Sequence, residues 1–211
     1  MTIAVEDISQ FPGPGMDYPS GFTFSPDGHY LAYLKMDSSN MARSLYLTES
    51  RNFNGKLLVS ATSEVTREES LEEELRKQRL RQMSGGISQY FWTSDNKIVF
   101  KMHGDIFVLD HLDSTPRLLV DASEFSPMDP KVSPNGKSLA FVCRGEIYIV
   151  RLEGGTPVKL TDGKKATTRG LAEYIAQEEM GRSSGYWWSP DSKSIAFIEV
   201  DETNIPEFIL T

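Results

Sequence analysis

The sequence predicts an all-β fold, a partial β-propeller of four-stranded antiparallel blades with two helical insertions. Three observations favour it: a strand–turn–strand segment recurs four times, a second pair of strand-like runs follows each of the first three copies, and two copies lie 40 residues apart. Four short strands at such a period are typical of propeller blades. A meandering β-sandwich is the alternative, although it has no reason to repeat one order of elements.

Each copy of the hairpin carries the same turn chemistry. A Ser or Thr is followed by Pro or Ser, then by Asp or Asn, then by Gly, Asn or Ser, with apolar β-forming residues on both sides. Proline presets φ at the second turn position, and the small or polar residues after it tolerate the remaining turn conformations. We therefore expect strand, tight turn and strand at four places, with the turns beginning at Ser25, Thr93, Ser133 and Ser189.

The spacing of the turns predicts where the blades and the insertions lie. Successive turns are separated by 68, 40 and 56 residues, so the first and third gaps hold 28 and 16 residues more than a 40-residue unit. Both surpluses have helix-like patterns. We expect blades at residues 20–61, 87–124 and 127–163, a helical arm at 62–86, a helix at 164–181 and the start of a further blade at 183–211.

The first insertion, residues 62–86, has the pattern of a charged helix. Ser63 or Thr66 can cap it, early acids and late bases complement the helix dipole, and Gly85 and Gly86 can end it. Its apolar stripe is too thin for burial on all sides. Two interpretations stay open: a solvated helix without a function, or an arm that contacts a partner subunit or overhangs a binding site.

The second insertion, residues 164–181, has an apolar helical face that ends in two acids. Leu171, Tyr174 and Ile175 share one face of a helix, and the next two positions of that face are Glu178 and Glu179. If the face packs on the propeller, both carboxylates point inward. A buried anion needs a cation there or it takes up a proton.

Two kinds of cation could balance these carboxylates. Arg182 follows Glu178 by four residues and Glu179 by three, which is the spacing of helical ion pairs. The other candidate is the ammonium group of a ligand, because its three N–H donors suit two carboxylates. The residue pattern leaves both alternatives open.

Composition narrows the classes of function. The 211 residues include 30 acids and 22 bases, a net charge of −8, so a nucleic acid is not the expected partner. One cysteine and three scattered histidines predict no disulfide framework, no metal site and no cofactor. No apolar run is long enough to span a membrane, and no signal peptide is visible. We expect a cytoplasmic protein, or a periplasmic one if a leader was removed.

The region around the paired acids resembles the dipeptidyl peptidase IV family of serine peptidases. The resemblance rests on the order of a helix, two adjacent glutamates, a Trp-Trp-Ser-Pro hairpin and an acidic turn before proline. The charged arm that ends in Gly-Gly-Ile-Ser-Gln-Tyr is similar to the bacterial branch of that family. The motif residues are Glu178, Glu179, Trp187, Trp188, Ser189, Pro190, Asp201, Glu202 and Pro206.

The resemblance implies that this chain helps to bind a peptide substrate. Glu178 and Glu179 would hold the free α-amino group, so that the enzyme releases amino-terminal Xaa-Pro or Xaa-Ala dipeptides. An arginine of the arm would also reach the substrate, with Arg76 as the candidate and Arg79 beside it. Remote binding of the ammonium group would position the scissile bond.

The resemblance also implies that the catalytic machinery lies elsewhere. The family carries its Ser, Asp and His triad in a carboxy-terminal α/β-hydrolase domain, and no stretch here alternates strands with helices as that domain must. The Gly-x-Ser-x-Gly from Gly181 to Gly185 follows a helix and precedes a strand, the reverse of a nucleophile elbow. We expect the chain alone to be inactive.

A different class of function fits the same repeats. A non-enzymatic propeller could bind a protein partner, with the arm as its interaction element. Three blades and one hairpin cannot close a ring of about 4 to 8 blades, so either function predicts open sheet edges. We expect those edges to promote homo-oligomers.

Overall fold

The computed structural model describes residues 4–9, 18–36, 42–61, 75, 78, 85–164 and 166–206. It divides into two compact units, Met1–Leu118 and Leu119–Thr211. In the described residues the regular structure is mostly β-sheet with three short helices, so the all-β prediction is confirmed. Within the same residues, no helix has the length and apolar character needed to cross a membrane.

The first unit is built on an eight-stranded sheet. Its order is β1-β2-β3-β5-β6-β7-β8, with β4 also paired to β3. The parallel contact between β3 and β5 joins Ala42 to Gly85 and Arg43 to Gly86. The elements are α1 (Val5–Ser9), β1 (Ser20–Phe24), β2 (Tyr30–Met36), β3 (Ala42–Glu49), β4 (Asn52–Val59), β5 (Gly85–Trp92), β6 (Ile98–Met102), β7 (Asp105–Leu109) and β8 (Arg117–Val120), which runs over the unit boundary.

This topology differs from the predicted separation into blades. The strands expected at 20–61 and 87–124 form, but the parallel contact joins them into one sheet, and the strands of the described residues do not close into a ring. Gly85 and Gly86, predicted to end the arm, begin β5 instead. Of the arm itself, Leu75 and Gln78 have helical backbone, and the remaining positions of 62–84 lie outside the described residues.

The second unit holds two four-stranded sheets. The first is the meander β12-β11-β10-β9, which lies within residues 127–163. The second has the order β15-β14-β13-β16. The elements are α2 (Ala122–Phe125), β9 (Met128–Val132), β10 (Ser138–Cys143), β11 (Glu146–Arg151), β12 (Val158–Lys159), β13 (Thr167–Leu171), α3 (Tyr174–Glu178), β14 (Ser184–Trp188), β15 (Ile195–Phe197) and β16 (Glu199–Asp201).

Each unit has its own apolar core, formed by inward-facing residues of neighbouring strands. The alternation of burial along β2, where Ala32, Leu34 and Met36 are buried, is the pattern of a strand with one covered face. The first core also includes Leu45, Leu47, Val59, Ile87, Tyr90, Ile98, Phe100 and Leu109. The second comprises Met128, Ala140, Val142, Ile147 and Tyr186.

The four predicted turns form with one shared hydrogen-bond pattern. In each, the leading hydroxyl donates to the carboxylate or amide oxygen two residues later, at 2.6 Å in the Ser25 and Thr93 turns, 2.8 Å in the Ser133 turn and 2.7 Å in the Ser189 turn. The same hydroxyl accepts a backbone N–H from the returning strand. The four turns therefore share a hydrogen-bond geometry as well as a sequence pattern.

A buried tyrosine links successive hairpins inside each unit. The Tyr90 hydroxyl lies 2.6 Å from the Gly21 carbonyl oxygen and 2.7 Å from that of Ala32. The Tyr186 hydroxyl lies 2.6 Å from the Asp129 carbonyl oxygen and 2.8 Å from that of Ala140. Each tyrosine lies three residues before the Ser or Thr that begins its own turn. Its two acceptors lie four residues before and seven residues after the Ser that begins the preceding turn of the same unit. Each hydroxyl thus joins two repeats through their backbones.

The helix predicted over residues 164–181 is too long. Thr167–Leu171 form β13, which pairs with β16 through Thr168 and Val200 and with β14 through Gly170 and Gly185. Gly170 has a φ of +82°, which a helix interior does not contain. Of the described residues in this range, Tyr174–Glu178 alone are helical, because pairing with distant strands overrides the local helical pattern.

Candidate functional site

The paired acids lie on a loop, residues 172–183, that connects β13 to β14. The two strands pair at Gly170 with Gly185 and at Leu171 with Ser184, which closes the loop at its base. A Cβ atom at Gly185 would lie 2.5 Å from the Leu171 carbonyl oxygen, closer than real contacts allow. Glycine at this position permits the close approach of the two backbones, so the two ends of the loop are held next to each other.

Helix α3 of this loop is short but capped. The Glu173 carboxylate accepts hydrogen bonds from the backbone N–H groups of Ile175, at 2.6 Å, and Ala176, at 2.7 Å. Glu173 therefore takes the N-cap role, although Thr167 and Thr168 are the residues of this segment that most often begin helices. The Ala176 side chain is fully buried and fastens the helix to the unit.

Glu178 and Glu179 stand at the carboxyl end of α3, and both are exposed. The Glu179 N–H donates to the Ile175 carbonyl at 2.9 Å, so the backbone of both acids is fixed by the helix. The carboxyl end of a helix carries partial negative charge, which disfavours nearby carboxylates and favours cations. Two adjacent exposed acids at that end therefore give this part of the loop a local negative charge.

The packing that would turn the acids inward does not occur. Tyr174 and Ile175 of the apolar face are 63% and 61% exposed, and the carboxylates are exposed as well. The helix is too short to present a long face, and Ala176 supplies its buried contact instead. The Arg182 guanidinium, one of the two cations considered for the pair, donates to the Ser184 carbonyl oxygen at 3.0 Å.

A buried arginine anchors the strand that enters the loop. The Arg169 side chain is 7% exposed, and its guanidinium lies 3.4 Å from the Glu146 carboxylate on β11 and 2.5 Å from the Glu199 carboxylate on β16. Glu146 also accepts the hydroxyl of Thr161 and the N–H of Gly163. The entering strand is thereby tied to both sheets of the second unit.

A lysine anchors the strand that leaves the loop. Lys131 of β9 contacts the Ser184 hydroxyl and the Tyr186 carbonyl oxygen through its ammonium group. The same nitrogen lies 3.3 Å from the Asp129 carboxylate and 4.1 Å from the centre of the Tyr186 ring. The Trp188 indole N–H donates to the Lys131 carbonyl oxygen at 3.1 Å. Strands β9 and β14 are thus joined by polar contacts of both the side chain and the backbone carbonyl of Lys131.

The sequence pattern did not identify these two anchors. A comparison of the four repeats contains a signal for one of them: two residues before each turn stand Thr23, Phe91, Lys131 and Trp187, so the lysine replaces an uncharged residue. Arg169 has no comparable signal, since its partners are distant in the chain. The proposed substrate arginines, Arg76 and Arg79, lie outside the described residues.

Comparison with known proteins decides the family. The model of the dipeptidyl peptidase IV (DPP IV) N-terminal region matches residues 88–211, more than half of the chain and the whole of the loop with the paired acids. The chain belongs to the dipeptidyl peptidase IV family. The matched model describes the N-terminal region of that family, so the family resemblance drawn from the sequence is confirmed.

Individual relatives of the dipeptidyl peptidase IV family agree over shorter stretches. A putative dipeptidyl aminopeptidase of Schizosaccharomyces pombe is 38% identical over 77 residues, and a probable dipeptidyl-aminopeptidase B of Talaromyces stipitatus is 35% identical over 78, each match covering 36% of this chain. Prolyl endopeptidase FAP of Mus musculus is 32% identical over 77 residues, 35% of this chain. The matched parts span only 9 to 10% of these relatives. Fungal and murine relatives give no support to the expected bacterial branch.

Proposed function

We propose that this chain is the substrate-anchoring segment of a serine dipeptidyl peptidase, and that Glu178 and Glu179 bind the α-ammonium group of a peptide. The observation that carries the proposal is the pair of exposed carboxylates at the end of α3, on a loop that is closed at its base. The membership of the chain in the dipeptidyl peptidase IV family supports the same reaction class.

The chemistry of the pair suits an ammonium group. Two carboxylates offer several lone pairs to the three N–H donors of a protonated amine, and charge-assisted hydrogen bonds are about twice as strong as neutral ones. A peptide with a blocked amino terminus lacks the charge and at least one donor. The site therefore distinguishes a free amino terminus from an internal segment of a peptide.

Anchoring of the ammonium group would act as a ruler. If the nucleophile of the longer protein lies at a fixed distance from the pair, the second peptide bond of the substrate reaches it and the product is a dipeptide. The binding energy of the remote ammonium group is then used to position the scissile bond, which raises kcat as well as lowering KM. Xaa-Pro and Xaa-Ala dipeptides are the proposed products.

The test is a charge-neutral, isosteric replacement of both acids in the longer protein. For the double variant Glu178→Gln and Glu179→Gln, we expect kcat/KM for Gly-Pro-p-nitroanilide to fall by at least about 100-fold, since each lost charge-assisted bond is worth roughly 1.5 to 3 kcal/mol. Glu153→Gln removes an exposed charge of the same unit and serves as the matched control. Unchanged kinetics in the double variant would refute the proposal.

The finer features of the fold are part of the same proposal. We infer that the sheets are blades of a propeller that further residues complete, in a cytoplasmic or periplasmic enzyme. The end strands β1 and β15 offer unpaired backbone groups in the described residues, and Phe22 and Phe24 of β1 are 56% and 63% exposed. The 211-residue chain should therefore self-associate. Light scattering that finds only monomers at high concentration would contradict this.

A further inference from the structure

Lys131 occupies an unusual position among the residues that frame the loop. Its side chain is 25% exposed, and its ammonium group has three N–H donors. Three acceptors surround it: the Ser184 hydroxyl, the Tyr186 carbonyl oxygen and the Asp129 carboxylate, the last at 3.3 Å. Lys131 donates hydrogen bonds to the first two groups and forms an ion pair with the third, and both hydrogen-bonded groups belong to the start of β14.

The start of β14 is in turn fastened to the helix that carries the acids. Ser184 pairs with Leu171 across the base of the loop, and its carbonyl oxygen accepts the Arg182 guanidinium at 3.0 Å. The backbone N–H of Arg182 donates to the Ala176 carbonyl oxygen of α3 at 2.9 Å. A continuous set of bonds therefore runs from Lys131 through Ser184 and Arg182 to the helix.

The chain between the acids and this fixed point is short. Four residues separate Glu179 from Ser184, so a shift of Ser184 is transmitted to the helix end with little slack. We propose that Lys131 is a positioning residue, which acts through Ser184 and Arg182 to hold the Glu178–Glu179 pair in the geometry that captures an ammonium group. The inference rests on the proposed function, and it adds a specific residue on another strand to the anchoring site.

The first test replaces the ammonium group by an uncharged side chain of similar length. In the longer protein, Lys131→Met should lower kcat/KM for Gly-Pro-p-nitroanilide by about 10-fold, the effect of a displaced but intact anchor. The rate of labelling by a fluorophosphonate, which reports the nucleophile and needs no ammonium anchor, should stay unchanged. Lys137→Met makes the same substitution at an exposed position of the same hairpin and should change neither quantity.

A second variant keeps the test valid if Lys131→Met does not fold. Ser184→Ala removes one acceptor while the lysine remains, and we expect a fall of about 3-fold in kcat/KM. In the double variant the two effects should be less than additive, because both act through the same contact. Additive effects, or no effect of Ser184→Ala, would overturn the inference.

The outcomes separate this inference from the proposed function. If the variant with Glu178→Gln and Glu179→Gln loses activity and Lys131→Met does not, the anchoring function stands and the role of Lys131 is refuted. If Lys131→Met lowers kcat/KM and the labelling rate equally, the lysine supports the whole fold and the inference also fails. If the glutamine variant keeps full activity, the proposed function itself is wrong.

Discussion

Removal of the Tyr186 hydroxyl is the most direct test of how the second unit is held together. The side chain is fully buried, and its oxygen lies 2.6 and 2.8 Å from the carbonyl oxygens of Asp129 and Ala140. Tyr186→Phe keeps the ring and its packing, so the change in stability reports the hydroxyl alone. One hydrogen serves both acceptors, which makes the bond three-centred.

The expected cost follows from those contacts. A buried carbonyl that loses its donor forfeits about 1 to 3 kcal/mol, so Tyr186→Phe should lower the free energy of unfolding by about 2 kcal/mol. For a unit that comprises Leu119–Thr211, each kcal/mol corresponds to roughly 4 to 8 °C in Tm. The second unit should therefore melt about 10 °C lower in the variant.

Urea unfolding of the 211-residue chain, followed by circular dichroism at a dilution where light scattering finds monomers, measures this difference. Tyr148→Phe makes the same chemical change at a half-buried ring that stacks on Phe141, and it should alter the free energy of unfolding by less than about 0.5 kcal/mol. A loss below about 0.5 kcal/mol for Tyr186→Phe would refute the argument that its hydroxyl joins the two repeats.

Two further perturbations test the electrostatics of the second unit. The Ser189 hydroxyl and the Lys193 N–H hold the pKa of Asp191 below its ordinary 3.8, so the ionised form stabilises the fold above about pH 4 and that stability is lost as the pH falls lower. In Asp191→Asn, the urea concentration at the unfolding midpoint should decrease less steeply between about pH 5 and pH 2 than in the unmodified chain. The same decrease in both proteins would contradict this. Arg169→Met removes the nearer of the two cations beside the Glu146 carboxylate, at 3.4 Å against 4.0 Å for Lys159, and should cost about 3 kcal/mol. Glu199→Gln, at a half-exposed partner, should cost less than about 1 kcal/mol. Equal losses in thermal unfolding would refute the assigned ranking.

The hairpin turns could be predicted because their determinants are local. The hydroxyl, the acceptor two residues later and the residue with positive φ are all within four positions, as in the Ser133 turn with Asn135 and Gly136. The strands around them follow from the same short segments. The paired acids also stood out locally, because they interrupt an apolar pattern.

The remaining features depend on residues far apart in the chain. Thr167 and Thr168 carry a helix-start pattern, yet pairing of β13 with Asp201 and Val200 makes the segment a strand. The short helix that results leaves Glu178 and Glu179 exposed rather than inward. The anchors Lys131 and Arg169 find their partners on other strands. The repeats mark Lys131 as an exception, but no local pattern indicates which groups either side chain contacts.

The alternation of the buried tyrosines has a consequence for how such repeats could multiply. Three residues before the turn, the second and fourth hairpins carry tyrosine, whereas the first and third carry Phe22 and Pro130, which have no hydroxyl. Each Tyr90 or Tyr186 needs the carbonyls of the hairpin ahead of it. Deletion of one hairpin would leave a tyrosine hydroxyl without its acceptors, or two carbonyl groups without their donor. The smallest module that recombination can exchange without losing these hydrogen bonds is therefore a pair of hairpins.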